Sequence, residues 1–142
     1  MKNRNLPHSD HWATPAYFYD ELNKEFNFDF DPCPLRHDIN KWDGLKIEWG
    51  KVNFINPPYQ VRPVNLKEAF IRKAIYEAKM GATCVLLLPV STSTKLFHDV
   101  IKPNSKEIRF VKGRIKFEGY NSKGEFVTNK SPMHDSMIII LK

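Results

Sequence analysis

At 142 residues the chain has room for one compact domain with a true core and too little for two. Its composition, 42% hydrophobic and 27% charged, excludes wholesale disorder. The 22 Lys and Arg against 16 Asp and Glu give +6, which suits a polyanionic partner such as DNA or RNA and equally a merely soluble surface. Cys33 and Cys84 are far apart without CxxC spacing, and five scattered histidines form no ligand pattern, so neither a disulfide framework nor a metal site is expected. No apolar run reaches membrane-spanning length, and "MKNRNLPHSD" lacks the apolar centre of a signal peptide, which predicts a cytoplasmic protein away from membranes.

In chain order, residues 1–11 are polar and expected to be flexible. "TPAYFYDELNKEF" predicts a helix with Thr14 as cap, Pro15 at the first helical position, and Phe18, Leu22 and Phe26 on one face. "FNFDFD" alternates aromatic and polar residues and predicts a strand ended by Pro32 and Pro34. Residues 35–51 are polar and irregular, with "DGL" at 43–45 as a turn signal, before a second strand at "KVNFIN".

"VNLKEAFIRKAIYEAKMG" is the clearest helix, with a stripe of Leu66, Phe70, Ile71, Ala74, Ile75 and Ala78 and Gly81 as its stop. "ATCVLLLPV" is almost continuously apolar, as a central parallel strand covered on both faces would be. A short helix around "TKLFHDVI" follows. An edge hairpin of "EIRFVKG" with "RIKFEG" comes next, then a polar loop "YNSKGEFVTNKSPMH" and a last strand, "DSMIIILK". The alternation predicts a single layered α/β domain. Ligands in such sheets sit beyond the carboxyl ends of the strands, where "DPCP", "NPPY" and "PVSTST" fall.

"NPPY" carries the most chemistry. Proline cannot donate to a ladder, so two of them end a strand for purely structural reasons. That explanation leaves out the Asn and the Tyr. A rigid turn fixes the Asn56 side-chain oxygen and the Pro57 carbonyl as two acceptors, Pro57 and Pro58 bring no competing N–H, and Tyr59 offers a flat face. Two acceptors and a ring can hold an aromatic amine while its heterocycle stacks.

"NPPY" after a strand resembles the amino-methyltransferase motif [DNS]PP[YFW]. Four blocks in order resemble the small phage-type DNA N6-adenine methyltransferase family: "WATPAYFYDELNKEFNFDFDPC", "DGLKIEWGKVNFINPPY", "KAIYEAKMGATCVLLLPVSTSTKLFH" and "EIRFVKGRIKFEG". The resemblance implies a Rossmann-like, S-adenosylmethionine-dependent methyltransferase fold, mainly parallel with an antiparallel C-terminal strand or hairpin. It implies methyl transfer to the exocyclic amine of an adenine flipped out of double-stranded DNA. Asn56, Pro57, Pro58 and Tyr59 would be catalytic, with Tyr59 stacked on the base. No strong general base is required, because positioning and electrostatics carry the reaction.

On the same resemblance, the cofactor S-adenosylmethionine would lie against Trp12, Thr14 and Pro15, against Asp31, Pro32 and Cys33, and against Asp43. Thr14 would contact the cofactor carboxylate at a helix N-terminus; the plain alternative is an ordinary helix cap, and the two roles are compatible. Asp31 stands at the strand end, although alternation alone leaves Asp29 open, and Asp31 before proline is also an ordinary turn residue. Asp43 is a ribose or adenine contact or simply the turn residue of "DG". Trp42 and Trp49 are expected in packing. One departure stands out: "DPCPLRHD" has no glycine, and Asn56 comes only twenty-five positions after Asp31. A trimmed sheet is expected, with "LRHDINKWDGL" wrapping the cofactor as a loop.

Lys112, Arg114 and Lys116 would share one strand face and meet DNA phosphates, with Phe117 stacking on a base. The plain alternative is a solvated outer face. No segment is long enough for a target-recognition domain, so short or relaxed specificity is expected, with restriction-modification or phage DNA protection as the setting the family suggests. Alternatives to the main reading are methylation of cytosine N4 or of RNA adenine, since the motif reads an amine and not one base. A different class is a non-catalytic nucleic-acid-binding module on the same fold.

Overall fold

The computed structural model describes residues 13–34, 43–58, 63–120, 123, 125–130 and 134–142. Its centre is a four-stranded mixed sheet in the order β1-β2-β6-β3. β1 (Val52–Ile55) runs parallel to β2 (Thr83–Pro89), with Val52 opposite Thr83 and Ile55 opposite Leu86. β6 (Ser136–Leu141) is antiparallel both to β2 and to β3 (Glu107–Phe110). β1, β2 and β3 therefore share one direction and β6 opposes them. By ladder the sheet is mixed, with one parallel and two antiparallel pairings, whereas a mainly parallel sheet was expected.

β2 and β6 read as unbroken apolar runs because both of their faces are covered. On one face Cys84, Leu86, Leu88, Met137 and Ile139 pack against Phe70, Ile71 and Ala74 of α2 (Leu66–Lys79) and against Phe97 and Ile101. The other face sets Phe54, Val85, Leu87, Ile138 and Ile140 against Leu22 of α1 (Ala16–Phe26) and against Ile115 and Phe117. α2 begins where the Asn65 side chain accepts from Glu68 N–H at 3.0 Å, and Gly81 follows it at φ 108°, a conformation natural to glycine. Phe70 is fully buried at the centre of its stripe, so truncation to Ala would cost about 3–5 kcal/mol.

Several elements depart from the sequence expectation. The strand expected at "FNFDFD" contracts to a parallel bridge between Phe30 and Asn53. Asp29 N–H donates to the Val52 carbonyl and Phe54 N–H to the Phe30 carbonyl, which sets this short segment alongside β1. α1 starts one residue later than expected: Pro15 occupies the cap position and no side chain caps the helix, so Thr14 is not its cap. The helix near "TKLFHDVI" is a π-helical turn, Leu96–Ile101, that runs into Lys102–Asn104. β3 does not pair with "RIKFEG". Instead β4 (Phe117–Tyr120) pairs with β5 (Phe126–Lys130), a strand formed inside the segment expected to be loop. Residues 111–116 form a bend between sheet and ribbon, turning at Gly113 with φ 76°.

Candidate active site

Strand direction alone gathers the chemistry. The Phe30 segment, β1 and β2 run the same way, so Asp31–Pro34, Asn56–Pro58 and Pro89–Ser91 emerge at one edge of the sheet. The expectation of three unusual strand ends at a single edge is met. Residues 1–12 and 59–62 lie outside the described residues, and with them Trp12 and Tyr59; so does Trp42.

Between two of these ends lies a cavity of about 140 Å³. Its wall combines Thr14, Tyr19 from α1, Asp31 and Cys33 after the first segment, and Phe54 and Asn56 from β1 and its end. Four residues singled out in three distant stretches of sequence thus meet in one hollow: Thr14, Asp31, Cys33 and Asn56. Tyr19 and Phe54 were not anticipated. Both sit in apolar-periodic stretches that read as core, and no local signal distinguishes a ring that walls a cavity from one that fills it.

Asp31 Oδ1 accepts from Cys33 N–H at 2.9 Å, and Oδ2 has no hydrogen-bond partner among the described residues. Burial pushes its carboxyl up to about 6, against the opposing pull of the Cys33 N–H. The Tyr19 hydroxyl is raised as well, first by burial and then by the negative charges of Asp31 and Asp20. Its ring meets Phe54 edge-on at 5.2 Å. Asn56 is only 7% exposed. Its Nδ2 donates to Thr14 Oγ1 at 3.2 Å, and its carbonyl accepts from Cys33 Sγ at 3.4 Å. Pro57 and Pro58 are buried directly behind it.

The remaining expected residues divide. Pro15 is buried at the start of α1, and Pro32 is buried with its carbonyl pressed on Gly44, where an added Cβ would lie 1.9 Å from that oxygen. Asp43 is not among the residues lining this cavity. Its Oδ1 accepts from Leu45 N–H at 3.0 Å and its carbonyl from Lys46 N–H at 2.9 Å, so the structure supports the turn role. Trp49 packs as expected, stacked on Phe70 at 6.4 Å with Nε1 donating to the Gly44 carbonyl at 2.7 Å.

Lys112, Arg114 and Lys116 are exposed on the bend, with Arg114 paired to Asp135 at 3.5 Å. They do not lie on one strand face, because the residues carrying them are not in a strand. Phe117 needs correction: at 3% exposure it belongs to the core beside Leu22 and Phe54 and offers no face to a base. Phe110, at the carboxyl end of β3, is 64% exposed instead. Arg109 is held by Glu25 at 2.6 Å and Glu107 at 2.7 Å, so it braces α1 against the edge strand.

Among the described residues no group of His, Cys, Asp and Glu could hold a metal ion, and no helix is long and apolar enough to cross a membrane.

A model of the DNA N-6-adenine-methyltransferase (Dam) family matches residues 2–142. The chain is also 32% identical over 135 residues to a DNA N-6-adenine-methyltransferase of Haemophilus phage HP1 (strain HP1c1), an alignment that covers 87% of this chain and 75% of that protein.

Proposed function

This chain belongs to the DNA N-6-adenine-methyltransferase family, and on that premise we propose how its strand ends carry out adenine methylation. The activity is that of an adenine-specific DNA methyltransferase. The observation that carries the site assignment is the buried Asn56 at the end of β1, sharing one cavity with Asp31 and Thr14.

Asn56 Oδ1 and the Pro57 carbonyl accept the two hydrogens of the adenine exocyclic amine. Drawn toward these acceptors, the amine nitrogen loses conjugation with the ring and its lone pair becomes the nucleophile. Pro57 and Pro58 contribute by stiffness: neither has an N–H, so neither competes for the acceptors. Tyr59 follows directly in sequence and supplies the stacking ring. The catalytic contribution is preorganised electrostatics with fixed orientation, and no side chain need act as a strong base. Because the amine of a paired adenine is out of reach inside a duplex, the base is flipped.

S-adenosylmethionine supplies a methyl group on a positively charged sulfur. The residues around the cavity fit such a group: a carboxylate with one oxygen unpartnered among the described residues, two aromatic walls from Tyr19 and Phe54, and a hydroxyl from Thr14. Asp31 Oδ2 would accept from the cofactor's donors, and Thr14 with the start of α1 would meet its carboxylate. Cys33 shapes the wall beside them, and Pro32 supports it from behind, with its carbonyl against Gly44. The cavity is smaller than the whole cofactor, and Trp12 and residues 35–42 adjoin these segments in sequence.

A Rossmann-like arrangement is supported by the sheet itself, with an acid after the first parallel segment, Asn56 after β1, and β6 inserted antiparallel between β2 and β3. On this reading residues 1–142 act as a single methyltransferase domain. Lys112, Arg114 and Lys116 contact phosphates, Phe110 rather than Phe117 is the exposed ring beside them, and sequence specificity is short or relaxed. The similarity to a phage protein makes the bacterial host cytoplasm the expected site of action.

The test is incubation with S-adenosylmethionine and unmethylated DNA, followed by nucleoside mass spectrometry. N6-methyladenine is expected, and its rate of formation should fall steeply with Asn56→Ala. Methylcytosine, or methylated RNA alone, would overturn the assignment.

A further inference from the structure

An asparagine amide is nearly symmetric in shape and opposite in polarity at its two ends, so an acceptor role requires something to keep the oxygen end forward. We infer that Thr14 is the positioning residue that fixes the Asn56 amide, an inference that rests on the acceptor role given to Asn56 above.

A threonine directly before the Pro15–Ala16 helix start would ordinarily cap the helix. Thr14 does not: α1 has no side-chain cap, and its first turn is closed by the Pro15 carbonyl, which accepts from Phe18 and Tyr19 N–H at 3.1 Å each. The hydroxyl turns instead to Asn56 and accepts from Nδ2 at 3.2 Å. With the nitrogen end engaged there, the amide is oriented so that Oδ1 takes the acceptor role given to it above. The Asn56 backbone is held separately, through its carbonyl and Cys33 Sγ at 3.4 Å.

Thr14 is itself fixed on both sides. Ala13 exchanges two backbone hydrogen bonds with Glu118 of β4, and Pro15 leads straight into α1. The acceptor is therefore in place before the base arrives, the condition under which a hydrogen bond contributes orientation without reorganisation. A hydroxyl can donate while it accepts, so a contact from Thr14 to the cofactor carboxylate is compatible with its hold on Asn56.

The test compares Thr14→Val, which keeps the shape and removes the hydroxyl, with Thr14→Ser, which keeps the hydroxyl. Thr14→Ala is a second hydroxyl-less variant in case valine disturbs folding, and thermal melts establish that each is folded. The expected result for the hydroxyl-less variants is a fall in kcat of about tenfold at saturating S-adenosylmethionine, equivalent to about 1.4 kcal/mol, with KM for DNA within about twofold. Serine should restore most of the rate. In an Asn56→Ala background, removing the hydroxyl should change the residual rate no further, because its effect passes through that amide. An unchanged kcat with a raised KM for the cofactor would overturn the inference and leave Thr14 as a cofactor contact only. Serine as poor as valine, or full additivity with Asn56→Ala, would overturn it too. Failure of the underlying reading looks different: Asn56→Ala would itself retain activity.

Discussion

The two opposite edges of the sheet hold the same residue types in opposite states. At the edge where the parallel strands begin, Asp29 accepts from Val52 N–H at 3.1 Å and Lys51 N–H at 3.3 Å. Asn53, fully buried, accepts from Gly50 N–H at 2.8 Å and donates to the carbonyls of Gly50 at 3.0 Å and Thr83 at 3.3 Å. Both side chains serve backbone groups and tie the entry of β1 into the sheet. At the edge where the strands end, Asp31 keeps an oxygen without a partner among the described residues and faces a cavity. There Asn56 reaches another side chain across forty-two positions of sequence. Polar groups tied to backbone build the fold, and polar groups that line a hollow are placed to meet a ligand.

The sharpest way to break this comparison is to exchange the phenotypes. Asn56→Ala should lower methyl transfer by about 10²–10³-fold, the cost typical of removing one preorganised group, while circular dichroism shows the fold retained. Asn53→Ala should do the reverse: stability falls by about 1–3 kcal/mol for each buried group left unpaired, read by urea denaturation, with the rate per folded molecule unchanged. If Asn53→Ala abolished catalysis in folded protein, the division between the two edges would fail.

Asp31→Asn comes next, with an expected loss of cofactor affinity of about tenfold or more, from a charge-assisted contact of about 1.5–3 kcal/mol. It also carries a pH signature. Burial raises the folded carboxyl to about 6, above its unfolded value of about 4, so between these limits the folded state holds a proton that the unfolded state has released. Stability of the cofactor-free protein therefore falls as pH rises through that window, by about 3 kcal/mol in all. Asp31→Asn should flatten this slope in thermal melts from pH 4 to 7. Cofactor affinity should show the opposite trend and weaken below about pH 6, where the carboxylate is lost.

The smallest effects belong to the bend. Lys112→Ala and Lys116→Ala should each weaken DNA binding similarly on all sequences and reduce the dependence of log affinity on log salt by about 1. Phe117→Ala should instead lower stability, by about 3–5 kcal/mol for a buried ring.

How far the site was legible depended on the kind of signal. "NPPY" could be read locally because proline's missing donor and fixed geometry act on the nearest residues. The stripe of α2 was legible because 3.6-residue spacing is itself a record of burial. Asp29 and Asp31 could not be separated, since residues two apart in a strand share a face and only the point where pairing stops tells them apart. Thr14 was misread as a cap for a related reason: its local sequence is that of a cap, and its acceptor is used by a residue reached only through the fold. β5 was hidden because "FVTNK" opens with two apolar residues side by side and ends in three polar ones, which leaves no alternation to detect. Phe110 and Phe117 look alike in sequence, seven positions apart, yet one ends an edge strand and the other closes the core.

By itself, then, the sequence determined the α/β alternation, the helix stripe, the doubly covered β2, and the amine-holding motif, all of which are written in spacings of a few residues. Tertiary structure decided which polar residues are saturated and which face the cavity, which aromatic is buried, and where Thr14 directs its hydroxyl. Those outcomes depend on strand direction and register, because hydrogen bonds between segments dozens of residues apart form only once the sheet has set their positions.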